Sequence, residues 1–403
     1  MSGRPHVLVL DRLGAATYAR RGEDLLPGAD FEVSVITKTG LGDGFRRAGA
    51  AWVHEEPSLA RADLEALARR RHREQPLDHV VAVSEPQQVA AARVRAAAGL
   101  PGEPSEVVAR FRDKLRMREA VRRLGVNQPS FAGVTDPAQV AAFARLHGKV
   151  VVKPRLGTAS MDVHVTDDPE TASRAARLML ASGTPAIVET FVEGPMYHCD
   201  SLVVDGEVVR APVHRYWKQT VAFTTEAWLT ASISDRSDVV RETEELNRRV
   251  VLGLGLRNGV THLEAFASPR GVVLCEVAAR PGGAGIVPSV HAATGIDMIA
   301  AAVRQQTGRS ALQTPPPAST TSAGWTLLYR RPGRTTRLLI PDWTAEPWLA
   351  HQEVTVRVGE RTEAALHSVD GAATFAVTGS SPAEVDRRLS AIMDAVQYET
   401  MPD

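Results

Sequence analysis

Between Thr261 and Gly283 the chain reads THLEAFASPRGVVLCEVAARPGG, and this stretch limits the available folds most sharply. Two apolar runs flank the turn-forming SPRG, a pattern that predicts a β-hairpin. Each run delivers one glutamate, Glu264 or Glu276. Folding about the turn leaves each glutamate about six residues from its centre, so the two can face each other across the strand pair. Burying a carboxylate costs roughly several kcal/mol unless it is paired or bound to a metal, and two opposed carboxylates repel. A hard cation that prefers oxygen, Mg²⁺ first, resolves that repulsion. Arg280 and a glycine-rich turn follow the second strand.

Composition narrows the class without naming it. The chain has 403 residues, 44% hydrophobic and 23% charged, with a formal net charge of zero. That length suits several domains, and the charge balance gives no electrostatic case for nucleic acid or a membrane surface as partner. The opening MSGRPHVLVLD lacks the pattern of a secretory leader, and no apolar run is long enough to span a bilayer. Cytoplasmic localisation is the expectation. The two cysteines, Cys199 and Cys275, read as small core residues in a reducing compartment.

Apolar runs alternate with helical patterns in residues 1–105: HVLVL, FEVSVIT and LDHVVAVSE, then an alanine-rich helix ended by GLPG. This order predicts a parallel α/β domain. Residues 106–125 read as one helix capped by Gly125, opening a second domain over 106–312. Within it, residues of about 125–190 form a separate lobe suited to act as a lid. QTPPPAST (313–320) reads as a linker, and 313–403 as a β-rich subdomain ending in a helix with Ser381 and Glu384 placed as a capping box.

Two lysines stand where phosphate chemistry would need them. Lys153 ends the apolar KVVVKP, and the small-residue loop RLGTASMD follows, including Ser160. Such a loop lets backbone N–H groups approach phosphate oxygens while the lysine supplies charge. Lys114, in FRDKLRMREA, reads alone as a surface lysine. No GxxxxGK[ST] motif and no GxGxxG after the first strand is present. AIVETFVEGP is either a plain interdomain link or a connector whose backbone reads a purine edge.

Taken in order, RDK, VVKP with its loop, VETFVEG, the T-x-x-E strand and CEVAAR resemble the ATP-grasp superfamily over residues 105–310, with weaker likeness in the flanks. The resemblance implies the ATP-grasp fold: a parallel α/β domain, a central α+β region and a β-rich C-terminal part. It implies that Lys114, Lys153 and Ser160 contact ATP phosphates. Glu189 and the backbone of Thr190 and Val192 would read adenine, and Phe266 would wall the base. Glu264 and Glu276 would hold two Mg²⁺ ions, with Mn²⁺ able to replace them, and Arg280 would stabilise the transferring phosphoryl group. Glu193, His198 and Asp200 are within reach of the ribose on sequence. Ala278 stands where many members carry a further metal-binding asparagine.

The chemistry implied is ADP-forming activation of a carboxylate as an acyl phosphate, then capture by an amine. EVAARPGGAG resembles the ligases that join amino acids and their relatives in natural-product assembly. Small-molecule carboxylates and amines are the expected partners, and a homodimer is a family-level expectation. Glu85 reads as a receiver for an amine or as a helix N-terminal acid. Arg215 and Lys218, in HRYWKQT, line a pocket or face solvent. His291 contacts substrate or packs in a helix. The rival readings are a ligase loading a carrier-protein thiol, a bicarbonate-activating subunit, and a non-catalytic ATP-binding regulator. The C-terminal part after Thr314 is expected to close over the site and shape acceptor choice.

Overall fold

A computed structural model describes residues 3–234, 237–312 and 321–402. The linker expected at 313–320 lies outside these described residues.

The N-terminal part forms a parallel sheet from β1 (His6–Leu10), β2 (Glu32–Lys38), β3 (Trp52–Glu56) and β4 (His79–Val81), in the order β3-β2-β1-β4. β1 is buried along its whole length, as an apolar strand covered on both faces must be. Helices α1 (Arg61–Glu74) and α2 (Glu85–Ala98) flank the sheet, and Gly99 ends α2 in the left-handed conformation at φ 67°. The order reverses between β1 and β4, so their C-terminal ends open a crevice where α/β sheets commonly bind ligands. Glu85 stands at that edge, in the first turn of α2.

The single helix expected over 106–125 is two helices, α3 (Ser105–Arg112) and α4 (Lys114–Arg122). Asp113 breaks them. Its backbone is extended, and its side chain accepts from the Leu115 N–H as the cap of α4. Arg155 grips the same carboxylate at 3.0 and 2.6 Å. The break makes Lys114 the first residue of α4 and turns it inward. Lys114, Met117, Arg118 and Val121 form the buried face of α4.

The lobe expected over about 125–190 is an antiparallel sheet of β5 (Phe131–Val134), β6 (Val150–Pro154), β7 (His164–Thr166) and β8 (Ala186–Thr190), in the order β5-β8-β6-β7. Helices α5 (Pro137–His147) and α6 (Pro169–Ala181) supply its own apolar core.

The central sheet carries β9 (Met196–Val204), β10 (Glu207–Arg210), β11 (Val213–Tyr216), β12 (Trp228–Ile233), β13 (Gly259–Ser268) and β14 (Gly271–Ala278). Helix α7 (Asp238–Gly253) packs on one face, α8 (Ile286–Thr294) and α9 (Met298–Gln306) on the other. The C-terminal segment is β-rich. Its strands β15 (Ser322–Tyr329), β17 (Leu349–Val354) and β19 (Gly371–Gly379) extend the central sheet, giving β14-β13-β9-β11-β12-β15-β19-β17 with β10 beside β9. The remaining strands, β16 (Gly333–Leu339), β18 (Arg361–Thr362) and β20 (Gln397–Met401), make a small separate sheet, and α10 (Pro382–Ala395) covers β15 and β19. Among the described residues no single helix is long and apolar enough to cross a membrane.

Candidate active site

The late hairpin forms, and its register holds a surprise. Ser268 pairs with Gly271, Phe266 with Val273, and Ala265 with Leu274; the ladder then shifts so that Glu264 opposes Glu276. Cys275 is the extra residue of a β-bulge. A regular ladder closed by a two-residue turn would oppose Glu264 with Cys275 and send Glu276 to the other face of the sheet. The bulge therefore places both carboxylates on one face. Arg118 holds it, donating to the Leu274 carbonyl at 3.0 Å and the Cys275 carbonyl at 2.6 Å.

Arg118 is wholly buried, and it also clamps Glu189 through two parallel bonds, Nε to Oε1 at 2.8 Å and Nη2 to Oε2 at 3.1 Å. Lys153 approaches the same carboxylate, Nζ to Oε2 at 2.9 Å. Burial alone would raise the Glu189 pKa, but Arg118 and Lys153 outweigh it and hold the group at about 2. Burial likewise opposes the charge on Lys153, and Glu189 more than offsets it, so the lysine stays protonated. The expectation that the Glu189 carboxylate reads adenine is corrected: two cations occupy it. The Thr190 N–H is bonded to the Ser130 carbonyl at 2.9 Å, so a base could use only the carbonyl of that residue.

Lys114 Nζ lies 3.2 Å from Glu276 Oε2 and donates to the Gly157 carbonyl at 2.9 Å. Burial works against the Glu276 charge, but Lys114 and Lys153 hold its pKa well below the usual carboxylate range. Lys114, Lys153, Glu264 and Glu276 line one cavity between this lobe and the central sheet. Ser160, Glu189, Thr190, Val192 and Phe266 line it too. The small-residue loop carries Ala159, Ser160 and Asp162 at φ 53°, 58° and 54°. Few residues but glycine adopt this region readily, and a loop that alternates it can turn successive N–H groups to one side. The donor set suits ATP with divalent cations: two carboxylates on one face for the metal, and two ammonium groups for phosphate oxygens.

A strap from the C-terminal segment reaches this loop. The Ser368 N–H donates to the Ala159 carbonyl at 3.0 Å, and Val369 packs over Gly283, where an added Cβ would come within 3.0 Å of it. Asp370 shapes the strap by accepting from the Leu366 and His367 N–H groups, both at 2.9 Å.

The connector after β8 packs tightly on β13. Gly194 has φ 139°, and a Cβ there would collide with the Ala267 carbonyl. Gly194→Ala is expected to cost about 1–3 kcal/mol or more and to weaken ATP binding by displacing the connector. Thermal melting and an ATP titration check this; a variant indistinguishable from wild type in both would show the connector to be tolerant.

Arg280 lies beyond the carboxylate pair, outside the cavity lining. Its Nε is 3.0 Å from Glu85 Oε2, and Arg112 Nη1 is 3.3 Å from Glu85 Oε1. Glu85 is buried, so its role as an amine receiver is corrected: it is the counter-ion of two guanidinium groups and fixes Arg280 against the N-terminal domain. The other substrate candidates do not reach the cavity. Arg215 is exposed because strand alternation sends it away from its buried neighbours His214 and Tyr216. Lys218 is exposed beside Glu226 at 3.6 Å. His291 sits half-buried in α8, where burial first, and Arg21 next, lower its pKa.

Sequence reasoning missed His214 and His262, which belong to rows of polar side chains that continue the carboxylate pair inward. Glu276, Glu264, His198 and His214 oppose one another across β14, β13, β9 and β11. Asp200 and His262 form the next paired row. His198 and Asp200 are buried, bonded to each other at 2.6 Å, and absent from the cavity lining; neither contacts a ribose there. Glu193 is exposed and also outside the lining. His262 joins Asp200 at 2.9 Å and Glu264 at 3.5 Å, and the Tyr216 hydroxyl donates to Glu264 at 3.2 Å. Burial disfavours charge on His262, but Asp200 raises its pKa to about 9; burial, then His198, lowers that of His214 to about 3. Donor atoms of His198, Asp200 and His214 lie within 4.8 Å of one another. They do not form a metal site as placed. The His198 and His214 rings stack 4.7 Å apart at 2°, so their in-plane lone pairs run side by side rather than toward one ion.

Residues 119–294 match the profile described as the ATP-grasp domain. The chain carries an ATP-grasp domain within the ATP-grasp fold. It is 26% identical over 219 residues to the L-arginine-specific L-amino acid ligase of Bacillus subtilis, covering 52% of this chain and 53% of that protein. It is 26% identical over 226 residues to the alanine–anticapsin ligase of Bacillus subtilis strain 168, covering 50% and 48%. The chain thus matches about half the length of these curated relatives. An L-amino acid ligase from Bacillus licheniformis superposes over the full length of both chains at a TM-score of 0.78 and 17% identity. N5-carboxyaminoimidazole ribonucleotide synthetase from Thermotoga maritima follows at 0.71 and 15%, covering 98% of this chain and 100% of its own. Likeness at those identities speaks for the fold alone.

Proposed function

We propose that this chain is an ADP-forming carboxylate–amine ligase that activates an amino acid or related acid and joins it to an amine. The observation that carries this reading is the opposition of Glu264 and Glu276 on one sheet face, with Lys114 and Lys153 beside them. Bound Mg²⁺ would neutralise charge on the transferring phosphoryl group, and Glu264 and Glu276 are the residues that would hold it. Lys114 and Lys153 bind phosphate oxygens, and the lid and strap keep water from the activated acid. One carboxylate oxygen of the acid bonds to the γ-phosphorus as the bond to ADP breaks. The amine then bonds to the acyl carbon, phosphate leaves with the C–O bond electrons, and the amine proton passes to solvent. Arg280, held by Glu85, stabilises negative charge on the phosphoryl group.

Phosphate release across a matrix of amino acids and amines, with product mass determination, tests the reading. A condensed amide with stoichiometric ADP supports it. ATP binding with no ADP release from any carboxylate would favour a regulatory protein instead, and product formed only with bicarbonate or a carrier thiol would favour the other acceptors. Arg280→Ala is expected to bind ATP normally while kcat falls on the order of 10²–10³-fold, the scale of losing one transition-state donor. A wild-type kcat would make Arg280 structural.

A further inference from the structure

The buried histidines beside the carboxylate pair have no part in the chemistry just described. Asp200 is 1% exposed, and both its oxygens are used: Oδ2 by His198 Nδ1 at 2.6 Å, Oδ1 by His262 Nδ1 at 2.9 Å. His198 is locked in turn, its Nε2 accepting from Trp325 Nε1 at 3.4 Å. With Nδ1 anchored on Asp200, His262 aims Nε2 at Glu264 Oε1, 3.5 Å away, where the Tyr216 hydroxyl also arrives. Ala278 stands opposite His262 on β14, and its methyl side chain leaves room for the ring. Both contacts fall on Oε1, which leaves Oε2 of Glu264 for another partner. An ordered chain of donors behind a ligating carboxylate is the means by which proteins fix the orientation of that ligand.

We propose that Asp200 and His262 are positioning residues that fix the Glu264 carboxylate for a divalent cation, a role that rests on the metal-binding reading of Glu264 and Glu276. The network acts through Glu264; neither Asp200 nor His262 lines the cavity.

Isosteric variants separate its bonds. His262→Asn keeps a donor near the Nδ1 position and loses the one toward Glu264; His262→Gln keeps the reach to Glu264 and loses the anchor. Asp200→Asn weakens the anchor while preserving shape. The measurement is Mn²⁺ binding in the presence of ADP, followed by electron paramagnetic resonance on the full-length protein, with melting curves alongside. His262→Asn is expected to weaken Mn²⁺ about 10–100-fold, the range for losing such a supporting partner. Asp200→Asn is expected to weaken it about tenfold, and His262→Gln less than His262→Asn. Glu264→Gln serves as reference and should abolish binding. If Glu264→Gln loses Mn²⁺ while His262→Asn and Asp200→Asn bind it as wild type does, the positioning role is overturned and the metal site stands. If Glu264→Gln itself binds normally, the metal reading falls instead. Lowered melting in both His262 variants with equal Mn²⁺ affinity would make the network purely structural. Should His262→Asn fail to fold, Asp200→Asn decides the question alone.

Discussion

Replacing Glu276 by glutamine is expected to reduce turnover by on the order of 10³-fold or more while leaving the fold intact. The amide matches the carboxylate in shape but carries no charge, so a divalent cation loses one of its two opposed anionic ligands. The fold should survive because the Glu276 side chain is 31% exposed at the cavity and Lys114, its ion-pair partner at 3.2 Å, keeps its bond to Gly157. Circular dichroism, melting and the Mg²⁺ dependence of phosphate release check the three parts of the statement. Wild-type turnover in this variant would remove the metal assignment and the ligase reading with it.

The second large effect is expected at Arg118. Arg118→Met fills similar space but leaves Glu189 short of its bidentate partner and frees the Leu274 and Cys275 carbonyls that define the bulge. Breaking one side of a buried ion pair costs about 3–5 kcal/mol, and Lys153 remains beside Glu189 to hold the loss toward the low end. Activity should fall as well, because a regular ladder would turn Glu276 away from Glu264. Melting temperature and ATP affinity report the two losses; a variant that melts and binds like wild type would show the bulge to be stable without its clamp. The same pair sets an acid limit. The Glu189 pKa is depressed from 4.5 to about 2, so its stabilisation is complete above about 4.5 and drains away as pH falls through 2. Arg118→Met should flatten this acid limb of the stability profile.

Much of the site was legible because its signals are local. Glutamates in apolar strands, a lysine at a strand mouth and a small-residue loop announce themselves within a few residues of sequence, and all of them meet in one cavity. Arg118 was also within reach: it stands one helical turn after Lys114, on the stripe shared with Met117 and Val121, so a cation falls on the buried face of α4. The break at Asp113 hid that stripe, since one continuous helix would have placed it differently. His262 and Glu264 share a face by strand alternation, but the partner that makes His262 informative, Asp200, comes from β9 and is invisible without the pairing. Arg215, Lys218 and His291 do not line that cavity, for the complementary reason. Residue type suggested chemistry, and the placement of each residue, by strand alternation for Arg215, in the bend after β11 for Lys218 and in α8 for His291, sets it away from the carboxylate pair.

The sequence by itself determined the late hairpin, most of the strands around the site and the identities of the charged groups, because periodicity and turn chemistry act over a few residues. Only the tertiary structure decided which charges neutralise which. Arg118 with Glu189, Arg280 with Glu85 and His262 with Asp200 are contacts between segments distant in the chain. The decisive case is the bulge at Cys275: one unpaired residue, held by a guanidinium from another helix, puts two carboxylates on one face, and no local pattern specifies it. Coulomb energy in a buried site depends on distance through space, and separation along the chain does not reveal that distance.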